Sequence, residues 1–196
     1  MTALDEPTTA PVAGRTPTRH RARWVAGSVL VVGVALVVVL ATRPPATATE
    51  VDSPLVGAPA PALAGTTLAG QAFQLSSLAG RWVFVNFFAS WCPPCQQEEP
   101  DLVAFAYQHR APGDAAVVGV VYDDAASSAK AFLVQSGATW PALGDPDGSI
   151  ALAYGVRGPP ETFLVSPDGI VVAHFDGPMT TASLDYWLRR AEQGTQ

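Results

Sequence analysis

The stretch FVNFFASWCPPC, which runs from Phe84 to Cys95, connects an apolar segment to the only two cysteines of the chain. The apolar segment, RWVFVNFF at residues 81–88, is typical of a buried β-strand. Pro93 and Pro94 suit the first turn of an α-helix, because proline presets φ and its missing N–H has no intrahelical partner there. The stretch therefore predicts a strand followed directly by a helix, with both thiols at the helix N-terminus.

The rest of the chain alternates between strand and helix patterns. The last two strand patterns are joined by the turn sequence Ser166-Pro167-Asp168-Gly169. This alternation, which ends in a hairpin and a helix, predicts an α/β fold with a central mixed β-sheet flanked by helices. Strand patterns lie at residues 67–73 (a glycine-punctuated pair), 115–122, 162–165 and 170–175, and helix patterns lie at residues 95–109, 127–137 and 181–191.

An uncharged apolar run extends from Trp24 to Thr42 and predicts a transmembrane anchor. Its 19 residues suffice to cross a bilayer as a helix that rises about 1.5 Å per residue. Four arginines lie within residues 15–23 and only Arg43 follows closely, which predicts a cytoplasmic N-terminus. A cleaved signal peptide is the alternative, because an A-x-A sequence occupies residues 46–48. The run exceeds the usual length of a signal-peptide apolar region, so we expect the anchor to be retained.

These segments predict four parts of the chain. Residues 1–23 form a basic cytoplasmic N-terminus and residues 24–42 form the transmembrane anchor, or an uncleaved signal. Residues 43–54 are rich in Pro, Ala and Thr, a composition typical of an extended linker without a core. Residues 55–196 form one domain of ordinary size. We expect a single-pass protein of the cell membrane whose domain is extracytoplasmic.

Composition and charge exclude two classes of protein. The chain is 48% hydrophobic and 14% charged, which excludes a disordered chain. Residues 44–196 carry six basic and fifteen acidic side chains, a net charge of −9, so a nucleic-acid partner is not expected. Topology and anionic lipid account for the N-terminal arginines.

The two thiols, Cys92 and Cys95, have the spacing of a redox pair. The unsatisfied N–H groups of a helix N-terminus favour an anionic thiolate, which makes Cys92 the expected nucleophile and the more exposed thiol. Cys95 lies one helical turn later, where it can attack the mixed disulfide and release the product. The sequence therefore predicts a redox-active disulfide between the two residues.

Other roles for the cysteine pair are less well supported by the sequence. A structural disulfide across so short a loop would remove little entropy from the unfolded chain. A zinc site usually needs four ligands, and the three histidines, His20, His109 and His174, are scattered along the sequence. Two thiolates alone can hold Cu(I), so a copper(I)-binding carrier remains an alternative function.

Three segments together resemble a known family. They are LVGAPAPAL at residues 55–63, FVNFFASWCPPC at residues 84–95 and GVRGPPETFLVSPDG at residues 155–169. With them, residues 55–191 resemble the thioredoxin superfamily, and within it the membrane-anchored TlpA-like group that includes the DsbE/CcmG and ResA proteins. The resemblance implies a thioredoxin-like fold, thiol–disulfide exchange and, in many members, reduction of apocytochrome c cysteines before haem attachment.

The resemblance also implies roles for residues near the second proline pair. Pro160 matches the cis-proline that lies beside the active-site disulfide in this superfamily. A cis bond there would present the backbone of the preceding residue to a substrate strand. Pro159 has no N–H to donate, so we expect substrate pairing to use its carbonyl group. Trp91 is expected to lie beside the dithiol, where it would contact the substrate.

An acidic residue in the helix is the expected proton acceptor for the second step. Glu98 lies three residues after Cys95, where the TlpA-like group has an acid implicated in proton handling. Asn86 stands where thioredoxins carry a buried, titrating Asp, so the proton must go elsewhere. Glu161, in the Pro-Glu-Thr segment, is a second candidate acceptor and a candidate substrate contact. Glu99 and Asp101 are interpreted as ordinary helix N-terminal acids.

We expect net reduction of disulfides in exported proteins, with apocytochrome c as the implied substrate class. Carboxylates near the dithiol would disfavour thiolate and make the dithiol a better reductant. A membrane electron donor would then have to restore the dithiol, and no cofactor or metal is expected. A thiol-peroxidase redoxin is the other enzymatic alternative, but Val85 and Ala89 stand where the Pro and Thr of the peroxiredoxin motif would be needed.

Overall fold

The computed structural model describes Trp24, residues 28–36, Val38 and residues 47–194. Contacts divide the chain into two units, Met1–Pro45 and Ala46–Gln196. In the first unit the described residues are helical and solvent-exposed. None of the helices within the described residues is long and apolar enough to span a bilayer. The predicted N-terminal segment at 1–23, part of the predicted anchor at 24–42, and residues 43–46 of the predicted linker at 43–54 lie outside those residues.

The second unit is an α/β domain whose strands and helices alternate along the chain. Its strands are β1 (Thr49–Glu50), β2 (Ala64–Thr66), β3 (Ala72–Gln74), β4 (Trp82–Phe88), β5 (Ala115–Val121), β6 (Ala142–Leu143), β7 (Glu161–Val165) and β8 (Val171–Asp176). Its α-helices are α1 (Pro93–Gln108), α2 (Ala126–Ser136), α3 (Ser149–Tyr154) and α4 (Thr181–Gly194), and a 3₁₀ turn covers Leu75–Leu78.

The central sheet is mixed, as the sequence predicts. Its strand order is β1-β8-β7-β4-β5-β6, and β2 and β3 form a separate hairpin. Strand β4 runs parallel to β5 and antiparallel to β7, so the strand that leads to the cysteines lies in the middle of the sheet. All seven residues of β4 are buried, which explains its continuous apolar sequence.

Each face of the sheet supports its own apolar core, because successive side chains of a strand point to opposite faces. On one face, Phe84 packs edge-to-face on Phe105 of α1 with ring centroids 5.1 Å apart. On the other face, Phe87 packs against Phe163 and Tyr154. Asn86 follows the parity of Phe84 and therefore faces α1.

The predicted linker is partly wrong. Thr49 and Glu50 pair antiparallel with Asp176 and Phe175, so they form the edge strand β1 of the sheet. An edge strand can be held by backbone hydrogen bonds alone, and both of its residues are exposed, which is why composition gave no sign of it. The predicted domain start at residue 55 is therefore too late.

Candidate active site

The cysteines lie where β4 ends and α1 begins. Cys92 is the N-cap of α1, with extended backbone angles of φ −86° and ψ 111°, and Pro93 and Pro94 form the first helical positions. The amide of Cys95 donates a hydrogen bond to the Cys92 sulfur over 3.2 Å. The two residues form a disulfide with their Cα atoms 5.2 Å apart. A donor at this distance stabilises negative charge on Cys92, which supports its role as the nucleophile.

Exposure does not separate the two sulfurs in this oxidised state. Cys92 is 2% exposed and Cys95 is 1% exposed, so the expected difference in accessibility is not present. Both pack against Phe88 and Ala89 at the end of β4. The exposed group beside the pair is Trp91, whose indole N–H donates to the Asp123 carbonyl over 3.0 Å.

The second proline pair, Pro159 and Pro160, lies beside the disulfide. The Pro159–Pro160 peptide bond is cis, and the Pro159 carbonyl oxygen lies 3.5 Å from the Cys92 sulfur. In the reduced protein a Cys92 thiol at this position can donate to that carbonyl. The Pro160 carbonyl accepts from the Gly177 amide over 3.0 Å, which fixes the loop to the end of β8. The expected conformation and position of Pro160 are thus confirmed.

Glu98 is buried between α1 and the sheet. It is 2% exposed, and its two oxygens accept from Asn86 Nδ2 over 2.8 Å and from the Met179 amide over 2.9 Å. Burial raises the pKa of Glu98 to about 8, and the two hydrogen bonds only partly oppose that shift. Asn86 also donates to Thr162 Oγ1 over 3.1 Å. Near neutral pH this carboxyl group can therefore both hold and release a proton.

Glu161 lies on the other face of the sheet. Asn86 and Thr162 meet on the α1 face, and the neighbouring Glu161 points the opposite way because strand side chains alternate. Its Oε2 lies 2.7 Å from His174 Nε2. Burial alone would raise the pKa of Glu161, but bonds from His174 and two backbone amides lower it below its usual range. Glu161 is 1% exposed, so it binds the backbone amides of the loop before Pro159 from the protein interior.

Two contacts in the site region were not anticipated from the sequence. Glu99, interpreted as an ordinary helix-end acid, is only 3% exposed and accepts a hydrogen bond from Ser136 Oγ over 2.7 Å. Burial raises the pKa of Glu99 to about 7. His174 pairs with Glu161 across β7 and β8, and the only available signal was the position of both residues in predicted neighbouring strands.

The structure thus brings Trp91, Cys92, Cys95 and the Pro159 carbonyl together in one site. Glu98 stands behind this site at the next turn of α1, and Glu161 supports the loop on the far side of the sheet. The assembly offers a disulfide that can be opened and closed, a carbonyl group at its edge and a buried acid on its helix.

Comparison with known proteins gives consistent results. The sequence profile of the AhpC/TSA family matches residues 56–174. A thiol:disulfide interchange protein CycY from Rhizobium leguminosarum is 38% identical over 110 residues, which cover 56% of this chain and 57% of that protein. The thiol-disulfide oxidoreductase ResA of Bacillus subtilis is 32% identical over 125 residues, which cover 64% of this chain and 69% of that protein.

Solved structures agree with these sequence matches. The crystal structure of a putative thiol:disulfide interchange protein DsbE from Chlorobium tepidum is 31% identical and superposes with a TM-score of 0.61. The match covers 68% of this chain and 94% of that one. The chain therefore spans most of the DsbE structure but little more than half of the CycY protein.

Proposed function

We propose that this chain, which belongs to the AhpC/TSA family, is a thiol–disulfide oxidoreductase that reduces disulfides in exported proteins. The observation that carries this proposal is the disulfide at the N-terminus of α1, with the Pro159 carbonyl 3.5 Å from the Cys92 sulfur. A backbone acceptor at that position can align a substrate chain beside the reacting sulfur. The apocytochrome c substrate class rests on the resemblance of the cysteine and Pro-Glu-Thr segments to the TlpA-like group.

The reaction proceeds in two balanced exchanges. In the first, the Cys92 thiolate attacks one sulfur of the substrate disulfide, which forms a mixed disulfide and releases one substrate thiolate. In the second, Cys95 loses its proton and attacks the Cys92 sulfur, which releases the second substrate thiolate. Two electrons have then passed from the dithiol to the substrate, and the Cys92–Cys95 disulfide is the oxidised product.

The reductive direction is supported by Glu98. Once Glu98 ionises, as pH rises to about 8, its carboxylate one turn from Cys95 disfavours a thiolate there, so the dithiol is less stable relative to the disulfide. Glu161, which the sequence placed in the same role, is paired with His174 on the opposite face of the sheet. The argument for direction therefore depends on Glu98 alone.

Capture of substrates tests the proposed reaction. A Cys95→Ala variant can form the mixed disulfide but cannot resolve it, so it should accumulate covalent adducts with exported cysteine proteins. The adducts should disappear on treatment with a reductant and be absent from a Cys92→Ala, Cys95→Ala control. Separation by non-reducing electrophoresis followed by mass spectrometry identifies the partners. A Cys95→Ala variant that accumulates no reducible adduct would contradict the function.

Location is part of the same proposal. An apolar anchor at residues 24–42 would hold the domain outside the cytoplasm, near a membrane electron donor that restores the dithiol. We expect the mature protein isolated from membranes to retain residues 24–42. Peptide mapping of the N-terminus checks this expectation, and a mature N-terminus at Thr49 would show that the segment is a cleaved signal peptide.

A further inference from the structure

His174 and Glu161 form a buried pair that is not among the reacting groups. The pair supports the loop at residues 157–160, which lies beside the reacting cysteines. His174 is on β8 and Glu161 begins β7, and His174 Nε2 lies 2.7 Å from Glu161 Oε2. Both side chains are nine-tenths or more buried, with exposures of 6% and 1%. Burying such a pair costs desolvation free energy, so its presence in the protein interior needs an explanation.

Strand pairing does not supply that explanation. Strands β7 and β8 already form an antiparallel ladder from Glu161 to Val165 without help from these side chains. His174 stacks on Phe163 with ring centroids 4.0 Å apart, a contact that an apolar side chain at position 174 could also make. Moreover, His174 Nδ1 is buried and has no hydrogen-bond partner among the described residues, which is unfavourable. The contact that distinguishes a histidine here is the one to Glu161.

Glu161 in turn is hydrogen-bonded to the backbone of the loop at residues 157–160. Its Oε1 accepts from the Arg157 amide over 2.7 Å and from the Gly158 amide over 3.0 Å. Pro159 and Pro160 have no amide N–H, so these are the two amide donors that the loop possesses. One carboxylate oxygen therefore satisfies both of them, and the other oxygen is held by His174.

The loop places one of its carbonyl groups beside the reacting sulfur. The Pro159 carbonyl lies 3.5 Å from the Cys92 sulfur, directly after the two amides that Glu161 holds. A rotation of the Glu161 carboxylate would release both amides and let this carbonyl turn. Contacts therefore run without interruption from His174 through Glu161 and the loop to the edge of the active site.

We infer that His174 is a positioning residue for substrate binding, which acts through Glu161 to fix the Pro159 carbonyl against the substrate chain. This inference rests on the proposed thiol–disulfide exchange. A substrate that pairs along the loop should depend on His174, and a small disulfide that reaches only the sulfur should not. By analogy with outer contacts that orient metal ligands, whose loss costs about 10- to 100-fold in affinity or activity, loss of His174 is expected to weaken peptide binding about tenfold.

The test compares two disulfides with reduced wild-type and variant full-length protein. One is an oxidised peptide whose two cysteines are separated by two residues, and the other is the small aromatic disulfide dithiobis-nitrobenzoate. His174→Leu should raise the half-saturation concentration for the peptide about tenfold, leave its limiting rate nearly unchanged and leave the small disulfide within about twofold of wild type. His174→Gln, which keeps an N–H donor near the Nε2 position, should restore peptide binding.

A double variant separates an action through Glu161 from a direct one. Glu161→Ala, which removes the acceptor of both loop amides, should raise the half-saturation concentration for the peptide, and adding His174→Leu should raise it no further. Equal losses with both disulfides, an additive double variant, or no effect of His174→Leu would each overturn the inference. If His174→Leu fails to fold, Glu161→Ala must still impair peptide binding and His174→Gln must not. A wild-type protein that reduces neither disulfide would overturn the proposed function, and with it this inference.

Discussion

Replacing Glu98 with Gln should slow resolution of the mixed disulfide by about 10²-fold near pH 8 and leave the first attack by Cys92 close to its wild-type rate. Cys95 is 1% exposed in the disulfide-bonded protein, so once it is a thiol we expect its proton to have little access to water and to need an acceptor within the protein. Glu98 follows Cys95 by one helical turn, and burial raises its pKa to about 8, near that of a thiol. Transfer between groups of similar pKa is the condition in which a general base is effective.

Stopped-flow experiments that separate the two steps measure this effect. Gln keeps the size and helix propensity of Glu but cannot accept the proton. Removal of a neighbouring negative charge also makes a Cys95 thiolate easier to form, which partly offsets the loss. Glu99→Gln is the matched control, because Glu99 is equally buried on the same helix but bonds to Ser136 of α2. Resolution that is unchanged in Glu98→Gln, or slowed equally in both variants, would remove Glu98 from the mechanism.

The structure places the two carboxylates that the sequence offered as acceptors on opposite faces of the sheet. The sequence analysis named Glu98 as the expected acceptor and Glu161 as a second candidate, since each stands close to a segment that resembles the active site. Strand parity separates them: Asn86 and Thr162 point to the α1 face and join Glu98, whereas Glu161 points to the other face. Strand alternation alone says that Glu161 and Thr162 point to opposite faces, but all five residues of β7 are buried, so the sequence pattern did not show which face or partner would receive Glu161.

The parts of the fold predicted from sequence are those with strong local patterns. The continuous apolar run of β4, the two prolines after Cys92 and the Ser166–Gly169 turn each specify their own conformation. The two-residue strands β1 and β6 have no periodicity to detect, and they exist because a neighbouring strand supplies hydrogen-bond partners. Their positions depend on tertiary context and could not be predicted locally.

Side-chain burial at the site was the least predictable feature. Helix periodicity places Glu98 and Glu99 one turn after Cys95, but it does not say that the sheet covers the first and α2 borders the second. The resemblance supplied the cis conformation of Pro160, which the residues alone would not favour. His174 entered no motif, since its partner Glu161 lies 13 positions away in another strand.

The buried Glu98 should also make the oxidised protein less stable as pH rises from about 4.5 to 8. Its pKa is raised from 4.5 to about 8, so within this window the folded protein holds a proton that the unfolded chain has released. Stability from this group is therefore fully present below pH 4.5 and is lost as pH rises through 8. A difference of 3.5 pH units corresponds to about 5 kcal/mol in the free energy of unfolding.

Chemical denaturation of the oxidised protein at several pH values measures this loss. Gln has no proton to release, so the decline should be smaller in Glu98→Gln by about 5 kcal/mol between pH 4.5 and 8. The absolute stability of the variant is not the criterion, because its amide N–H₂ must face either the Met179 amide or Asn86 Nδ2, which both donate. Glu99→Gln should remove a smaller part, about 3 kcal/mol, since the pKa of Glu99 is raised to about 7. Parallel pH profiles for wild type and Glu98→Gln would mean that Glu98 is already ionised in the folded protein, and the same result would deprive Cys95 of an acceptor matched to its proton.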